Sequence, residues 1–271
     1  DWSSDVCSSD LMRRTIADWS DARSAFLFLA AVTAVPLLAG GSILMTIDPL
    51  NVLFWVGGML AAWRAMTTGQ AGWWIVTGLC WGGGFLSKYT SPLQWLALGI
   101  FMALWPPART HVRRPGLWIA GGISLVCTLP VLIWNANHGA VTVTHLTERG
   151  GLDQPWQFRF SLVRDFVLTV FGLLNPLFVI PMSIAAWKVW KRLSNPAERS
   201  ESADMGRDQT AFLALLFAHS IPLLVFWSAY AARARVLPNW ISPAVLPWLA
   251  LGFLHGLDEW RRGVRSGVRW L

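Results

Sequence analysis

The chain has 271 residues, of which 54% are hydrophobic and 14% charged, with a net charge of +7. A soluble domain carries about 25% charged residues. The composition therefore excludes an ordinary soluble enzyme, and the long apolar runs exclude a disordered chain. A mean hydropathy of +0.45 and 19 tryptophans fit a polytopic membrane protein, because Trp favours the membrane–water interface.

In chain order, residues 1–11 (DWSSDVCSSDL) come first. They repeat Ser-Ser-Asp without the charged-then-apolar layout of a signal peptide and read as a non-native, adapter-like segment. The readable chain is expected to start near Met12 and to be truncated at its N-terminus. Eight apolar segments follow, roughly 24–47, 50–63, 71–87, 91–105, 116–134, 166–187, 210–232 and 238–257. They predict an all-α, polytopic transmembrane helical bundle of about eight spans. Those at 50–63, 71–87 and 91–105 are short for a bilayer. Pro36, Pro130, Pro181 and Pro222 should kink the spans that hold them. Gly78 and Gly82 form a GxxxG spacing, which predicts close helix packing. Cys80 and Cys127 lie in apolar runs and read as membrane-buried thiols. The cysteines show no CxxC or zinc spacing and imply no disulfide framework.

The Lys and Arg distribution sets the orientation. With the N-terminus in the cytoplasm, the inside segments hold Arg13, Arg14, Arg23, Arg64, Arg109, Arg113 and Arg114, the basic linker 188–209 with Arg199 and Arg207, and the tail 258–271. The outside keeps far fewer: Lys88, Arg149, Arg159, Arg164, Arg233 and Arg235. Both termini are thus expected in the cytoplasm. The basic tail, with Trp260 and Trp270, is expected on the anionic inner leaflet, so membrane lipids are partners and nucleic acid is not.

This topology collects the unusual polar residues on the outer side. Asp48 follows a long apolar run, and Lys88 and Tyr89 end the third span. Asn135, Asn137 and His138 follow the fifth span, and Arg233, Arg235, Asn239 and Trp240 separate the last two. Plain alternatives exist for each. Asp48 before Pro49 fits a helix N-cap, Lys88 fits a snorkelling side chain, Arg233 and Arg235 fit interfacial anchors, and His138 fits a surface histidine. His219, within the seventh span, suits a helix–helix hydrogen bond. Together, one carboxylate, several cations and amide or imidazole donors suit a phosphate-bearing lipid substrate. Cations would hold the phosphate, and the carboxylate would orient a hydroxyl or act as base. Gly82–Lys88 lacks the Gly-Lys-Ser/Thr ending of a phosphate loop and lies within a span.

Four segments carry a family resemblance. Thr46-Ile47-Asp48-Pro49 resembles the T-x-D-P/A step of glycosyltransferase family 39-like membrane proteins, and Gly84-Phe85-Leu86-Ser87-Lys88-Tyr89-Thr90 their G-x-x-x-[ST]-K-[YG] step. The segments Trp134–Gly139 and Leu237–Pro243 resemble the W-N-x-x-H-G and L-P-N-W-x-x-P segments of a bacterial branch. This group includes the dolichyl-phosphate-mannose–protein mannosyltransferase-like enzymes and the lipid A aminoarabinose transferases. The resemblance implies the GT-C fold over residues 12–257 and an active site open to the periplasm of a bacterial inner membrane. It implies transfer of a sugar from a polyprenyl-phosphate carrier to a lipid or protein hydroxyl. On this reading Asp48 is the family's second acidic residue, near the catalytic centre, where it would orient the acceptor or position a divalent metal. Lys88 would hold the donor phosphate with help from Arg233 or Arg235. Tyr89, Asn135, His138, Asn239 and Trp240 would line the sugar or acceptor site. The family's leading acidic residue, the implied base, would precede residue 12, so this fragment alone is expected to be inactive. A lipid or solute transporter is the alternative; it requires ionisable residues along a path through the membrane, and often repeats.

Overall fold

The computed structural model describes residues 4–43, 46–153, 155–195 and 208–265. Every helix and strand assignment among them is helical. α1 (Ser4–Trp19) and α2 (Ala22–Thr33) are separated by Asp21, whose carboxylate accepts from the Ser24 amide at 2.8 Å and caps α2. α3 (Pro36–Ile43) begins at a proline and turns 79° from α2. Proline lacks the amide that would continue the preceding helix but suits the first turn of the next.

α4 (Asp48–Thr68) and α5 (Ala71–Ser87) form a helical hairpin. Its tight turn is made by Gly69, which takes a left-handed φ of 71° that costs a glycine nothing sterically. α6 (Leu93–Leu104), a 3-10 turn (Pro106–Arg113) and α7 (Pro115–Asn137) follow. α8 (Val141–Arg149) lies in the long connection to α9 (Phe160–Leu173), and α10 (Pro176–Ser194) turns 105° from α9. α11 (Gln209–Ala218), α12 (Ile221–Tyr230), a 3-10 turn (Pro238–Ile241) and α13 (Ser242–Arg265) complete the chain.

The core lies around α4 and α11. α11 is buried from Ala211 to Ala218, as expected of a helix that is apolar all round. Phe212 on α11 packs against Trp19 and Trp63 at centroid distances of 5.3 and 5.2 Å, and Trp63 meets Phe101 at 6.4 Å. The expected close packing at Gly78 and Gly82 is present. A Cβ at Gly78 would stand 2.6 Å from the Ala120 carbonyl oxygen on α7, and one at Gly82 would stand 2.4 Å from the Cys127 Cβ. Cys80 and Cys127 are free and partly exposed.

The expectation of about eight spans needs correction. Among the described residues, three helical stretches are long and apolar enough to cross a membrane: Pro115–Asn137, Gln209–Tyr230 and Pro238–Gly263. The number reaches five if each bent pair, α2 with α3 and α9 with α10, is one span. The apolar runs at 71–87 and 91–105 do form helices, but α5 has 17 residues and α6 has 12. At 1.5 Å per residue α6 is about 18 Å long, against a hydrocarbon core of roughly 30 Å. α4 has the length, with 21 residues, but carries Asp48, Asn51 and Arg64. The second correction concerns the sixth run, 166–187. The sharp break falls at Asn175–Pro176, whereas Pro181 stays inside α10.

Two ends of the bundle are distinguishable by their contacts. At one end Arg64 pairs with Asp18, Arg261 with Asp21 and Lys188 with Glu259. At the other, Lys88 pairs with Asp48, and the Arg233 guanidinium donates to the Gly151 carbonyl. This division follows the inside and outside sets drawn from the sequence. Residues 196–207 of the basic linker, with Arg199 and Arg207, fall outside the described residues. So do residues 1–3 of the adapter-like segment, and Arg269 and Trp270 of the tail.

Candidate functional site

Asp48 is the first residue of α4 and Lys88 directly follows α5, so the hairpin brings its two free ends together. The Lys88 ammonium donates to Asp48 Oδ1 at 2.5 Å, with the two side chains only 14% and 12% exposed. Asn239, in the 3-10 turn before α13, donates its amide to Asp48 Oδ2 at 2.7 Å. The Thr46 hydroxyl stands 3.5 Å from the same oxygen. Both carboxylate oxygens are thereby engaged, and residues far apart in the chain meet at one point.

This geometry decides two of the alternatives. Ile47 takes the cap position of α4, Asp48 is already its first residue, and the Asp48 carboxylate goes to Lys88, Asn239 and Thr46, so Asp48 is not an N-cap. Lys88 is held inward on Asp48 instead of snorkelling to the interface. A largely buried ion pair of this kind loses more solvation than a surface pair and demands good geometry and further hydrogen bonds in return. Asn239 and Thr46 supply those bonds.

The remaining candidates have contacts elsewhere. Arg233 donates from Nε and a terminal nitrogen to the Gly151 carbonyl at 3.2 and 2.9 Å. The neighbouring Tyr230 hydroxyl donates to the Gly150 carbonyl, so both tie down the turn after α8. Arg235 is exposed. Asn135 donates to the Val131 carbonyl at 2.9 Å and accepts from the Thr142 amide at 3.0 Å, which fixes the end of α7 to the start of α8. His138 is exposed and stacks on Trp134 at 4.5 Å, with Nδ1 2.7 Å from the Trp134 carbonyl oxygen. Tyr89 packs edge-on against Phe85 at 5.2 Å, and Trp240 against Trp227 at 4.8 Å. His219 is buried, and its carbonyl accepts from the Trp55 indole at 3.2 Å, a helix–helix hydrogen bond. No group of three or more His, Cys, Asp or Glu side chains gathers among the described residues. With both Asp48 oxygens engaged, the residues described do not form a metal cage there.

A cleft of about 360 Å³ opens beside Asp48. Thr46, Asp48, Asn239 and Ser242 give its polar wall, and Leu37, Gly40 and Pro238 are among its other lining residues. Ser242 and the α3 wall were not singled out from the sequence. A signal existed for Ser242, which lies three residues after Asn239 in the same Leu-Pro-Asn-Trp-Ile-Ser-Pro segment and so about one helical turn on. The α3 wall had no such signal, because it depends on how the α2–α3 bend folds against α13.

The fold has solved relatives, and the sequence has curated ones. The crystal structure of ArnT from Cupriavidus metallidurans in the apo state superposes with a TM-score of 0.59 at 20% sequence identity, covering 97% of this chain and 46% of that one. The same protein bound to undecaprenyl phosphate gives 0.57 at 21% identity, over 97% and 47%. A family model described as dolichyl-phosphate-mannose-protein mannosyltransferase matches residues 11–134. Lipid A galacturonosyltransferase RgtD of Rhizobium johnstonii is 25% identical over 241 residues, 88% of this chain and 47% of that protein. The undecaprenyl phosphate-alpha-4-amino-4-deoxy-L-arabinose arabinosyl transferase of Pseudomonas aeruginosa is 29% identical over 250 residues, 89% of this chain and 42% of that protein. The class is therefore a multi-pass, all-α membrane protein with an ArnT-like fold. More particularly, the chain is similar over residues 11–134 to the dolichyl-phosphate-mannose-protein mannosyltransferase family and over most of its length to the two curated transferases, the kinship to which its four motifs pointed. It spans just under half the length of these relatives.

Proposed function

We propose that this chain carries part of the active site of a membrane glycosyltransferase. The enzyme moves a sugar from a polyprenyl-phosphate carrier to a lipid or protein hydroxyl at the periplasmic face of a bacterial inner membrane. The observation that carries this reading is the Lys88–Asp48–Asn239 contact at the mouth of a cleft. A cation and a carboxylate held at the end of a helical hairpin are the groups that displacement at a sugar phosphate calls for. Lys88 stabilises the departing phosphate, where negative charge concentrates as the sugar–oxygen bond breaks. Asp48 orients the incoming hydroxyl on the face opposite the phosphate, and direct displacement inverts the anomeric centre. The names of the relatives support the donor class: one is an undecaprenyl-phosphate-sugar transferase, and one ArnT structure holds undecaprenyl phosphate. Lipid A as the acceptor is a narrower proposal, supported by the name of RgtD. The transporter alternative gains no support from His219, which packs against Trp55 and does not line a path.

The test is transfer from a labelled polyprenyl-phosphate sugar by the whole protein in membranes. Lys88→Ala is expected to lower turnover about 100-fold or more, the scale of losing a preorganised charge at a developing anion. Unchanged turnover would remove Lys88 from the reaction.

A further inference from the structure

The turn that carries Lys88 is anchored by a buried amide. The Lys88 N–H donates to the Gly84 carbonyl at 2.8 Å, and the Lys88 carbonyl accepts from the Ser91 amide at 3.0 Å. Both main-chain polar groups of Lys88 are thereby engaged. Ser91 is 2% exposed, and its hydroxyl accepts from Gln94 Nε2 at 2.8 Å. Gln94 is wholly buried, and its amide reaches both helices of the hairpin where each carries a glycine. A Cβ at Gly58 of α4 would stand 2.7 Å from Gln94 Oε1. One at Gly84 of α5 would collide with the Ser91 hydroxyl and stand 3.3 Å from Gln94 Nε2. Neither position accepts a larger residue while Gln94 keeps this place.

Two plainer roles for Gln94 fail on the geometry. Ser91-Pro92-Leu93-Gln94 has the spacing of a capping box, but no side chain caps α6, and the Ser91 amide turns back to Lys88. Nor does Gln94 serve packing alone. Its Oε1 has no partner among the described residues, and neither has the Trp81 Nε1 that stands at the same glycine. A buried unpaired oxygen lowers stability, a cost that an apolar side chain of similar size would not carry. What the amide does supply is a fixed path from the interior of the hairpin through Ser91 to the Lys88 main chain, at the end where Lys88 meets Asp48.

We infer that Gln94 is a positioning residue: through Ser91 it holds Lys88 against Asp48. Its effect on transfer rests on the transferase reading; its effect on the ion pair does not. Both are measured on the whole protein in lipid vesicles. Gln94→Met keeps the volume and loses the amide, and Ser91→Ala removes the acceptor. Acylation needs a free amine, so an ammonium held on a carboxylate reacts slowly with an amine-acylating reagent, and peptide mass spectrometry separates Lys88 from Lys188 and Lys191. Labelling of Lys88 is expected to quicken several-fold in both variants, while Lys188 and Lys191 keep their parent rates. Parent-rate labelling of Lys88 in both variants would overturn the inference, and so would faster labelling of all three lysines, the sign of general loosening. Turnover should fall roughly ten- to a hundredfold, the scale of a misplaced reacting group, with the melting temperature of Gln94→Met close to the parent's. In a Lys88→Ala background Gln94→Met should add no further loss; a full further loss would show that Gln94 acts by another route. Unchanged turnover in Lys88→Ala would end the transferase role of Lys88 and leave the labelling result standing. Unchanged labelling would end the positioning role and leave the transferase role standing.

Discussion

Asp48 precedes a proline and opens a helix, a place where an aspartate ordinarily satisfies the first free amides. Here its oxygens go to Lys88 and Asn239, and its value follows from those two partners. Removing Lys88 alone strands a largely buried carboxylate, which costs about 3–5 kcal/mol for a fully buried pair and less here. Lys88→Met is therefore expected to lower the melting temperature as well as turnover, whereas Asp48→Asn with Lys88→Met should recover the melting temperature and remain inactive. Recovery of activity in the double variant would show that the pair is only structural. Asn239→Leu removes a hydrogen bond to a charged group, worth about 1.5–3 kcal/mol. Turnover should fall roughly ten- to a hundredfold if that bond holds Asp48 in its reacting orientation, and a turnover assay on the single variant reads this directly.

A third residue gives a pH dependence. His111, in the 3-10 turn outside the spans, is 5% exposed with Nδ1 unpartnered among the described residues. Burial, and then the charge of Arg114, lowers its pKa below 6.5. The folded state thus binds the proton less readily than the unfolded state. The contribution of His111 is fully present above pH 6.5 and is lost as pH falls through the folded value. Thermal unfolding should show the parent losing more stability than His111→Phe between pH 7.5 and pH 5; equal losses would exclude this residue as the cause. The three residues that meet were all legible in the sequence as polar groups at span ends. Arg233 and Asn135 were legible by the same rule, yet they fasten loops. A cation or amide at an interface looks the same in sequence whether it meets a substrate or a backbone carbonyl.

At the scale of elements, the α5–α7 contact was readable and the breaks were not. Two glycines four apart in an apolar run permit two backbones to touch, and the 2.6 Å clearance at Gly78 leaves no room for a side chain. Gly78→Leu is expected to destabilise the protein by about 1–3 kcal/mol or more through overpacking, whereas Gly72→Leu, where an added Cβ meets nothing within 4 Å, should be neutral; comparing their melting temperatures checks this. The bend between α9 and α10 shows why proline alone is a poor guide. Pro181 remains helical, while Asn175, at a φ of 63° with its side chain accepting from the Leu177 amide at 3.1 Å, makes the turn for which Pro176 is then the natural helix start. The local hydrogen bond of Asn175 supports a backbone that a β-branched residue would resist. Apolar runs predict helices well, but whether a run is one straight span depends on such single residues.

For the molecule as a whole, charge asymmetry predicted two ends, and the ion pairs respect them: Asp18, Asp21 and Glu259 meet cations from the set read as inside, and Asp48 meets one from the set read as outside. The orientation in the membrane is a proposal with a direct check. Thr144→Cys on α8 should react with an impermeant thiol reagent in intact spheroplasts, and Thr110→Cys in the 3-10 turn only after the membrane is opened. The reverse pattern would invert the topology and move the site to the cytoplasm. The meeting of Asp48 and Lys88 with Asn239 is likewise a whole-molecule property. It requires α13 to return to the mouth of the α4–α5 hairpin, which no local pattern encodes. The cleft wall from α3 has the same origin and stayed illegible for the same reason.

The hairpin itself has a consequence for biogenesis. Because α4 and α5 run antiparallel from the turn at Gly69, the carboxylate at the start of one and the ammonium at the end of the other face each other once the pair closes. An isolated charge costs about 2.5–3.5 kcal/mol at the centre of a membrane helix and less at its ends, where Asp48 and Lys88 stand. Entering as a closed pair, these two helices can carry their opposite charges as one neutral unit. The same contact would then let the hairpin join the bundle during synthesis as one closed element, with neither charge left to find its partner later.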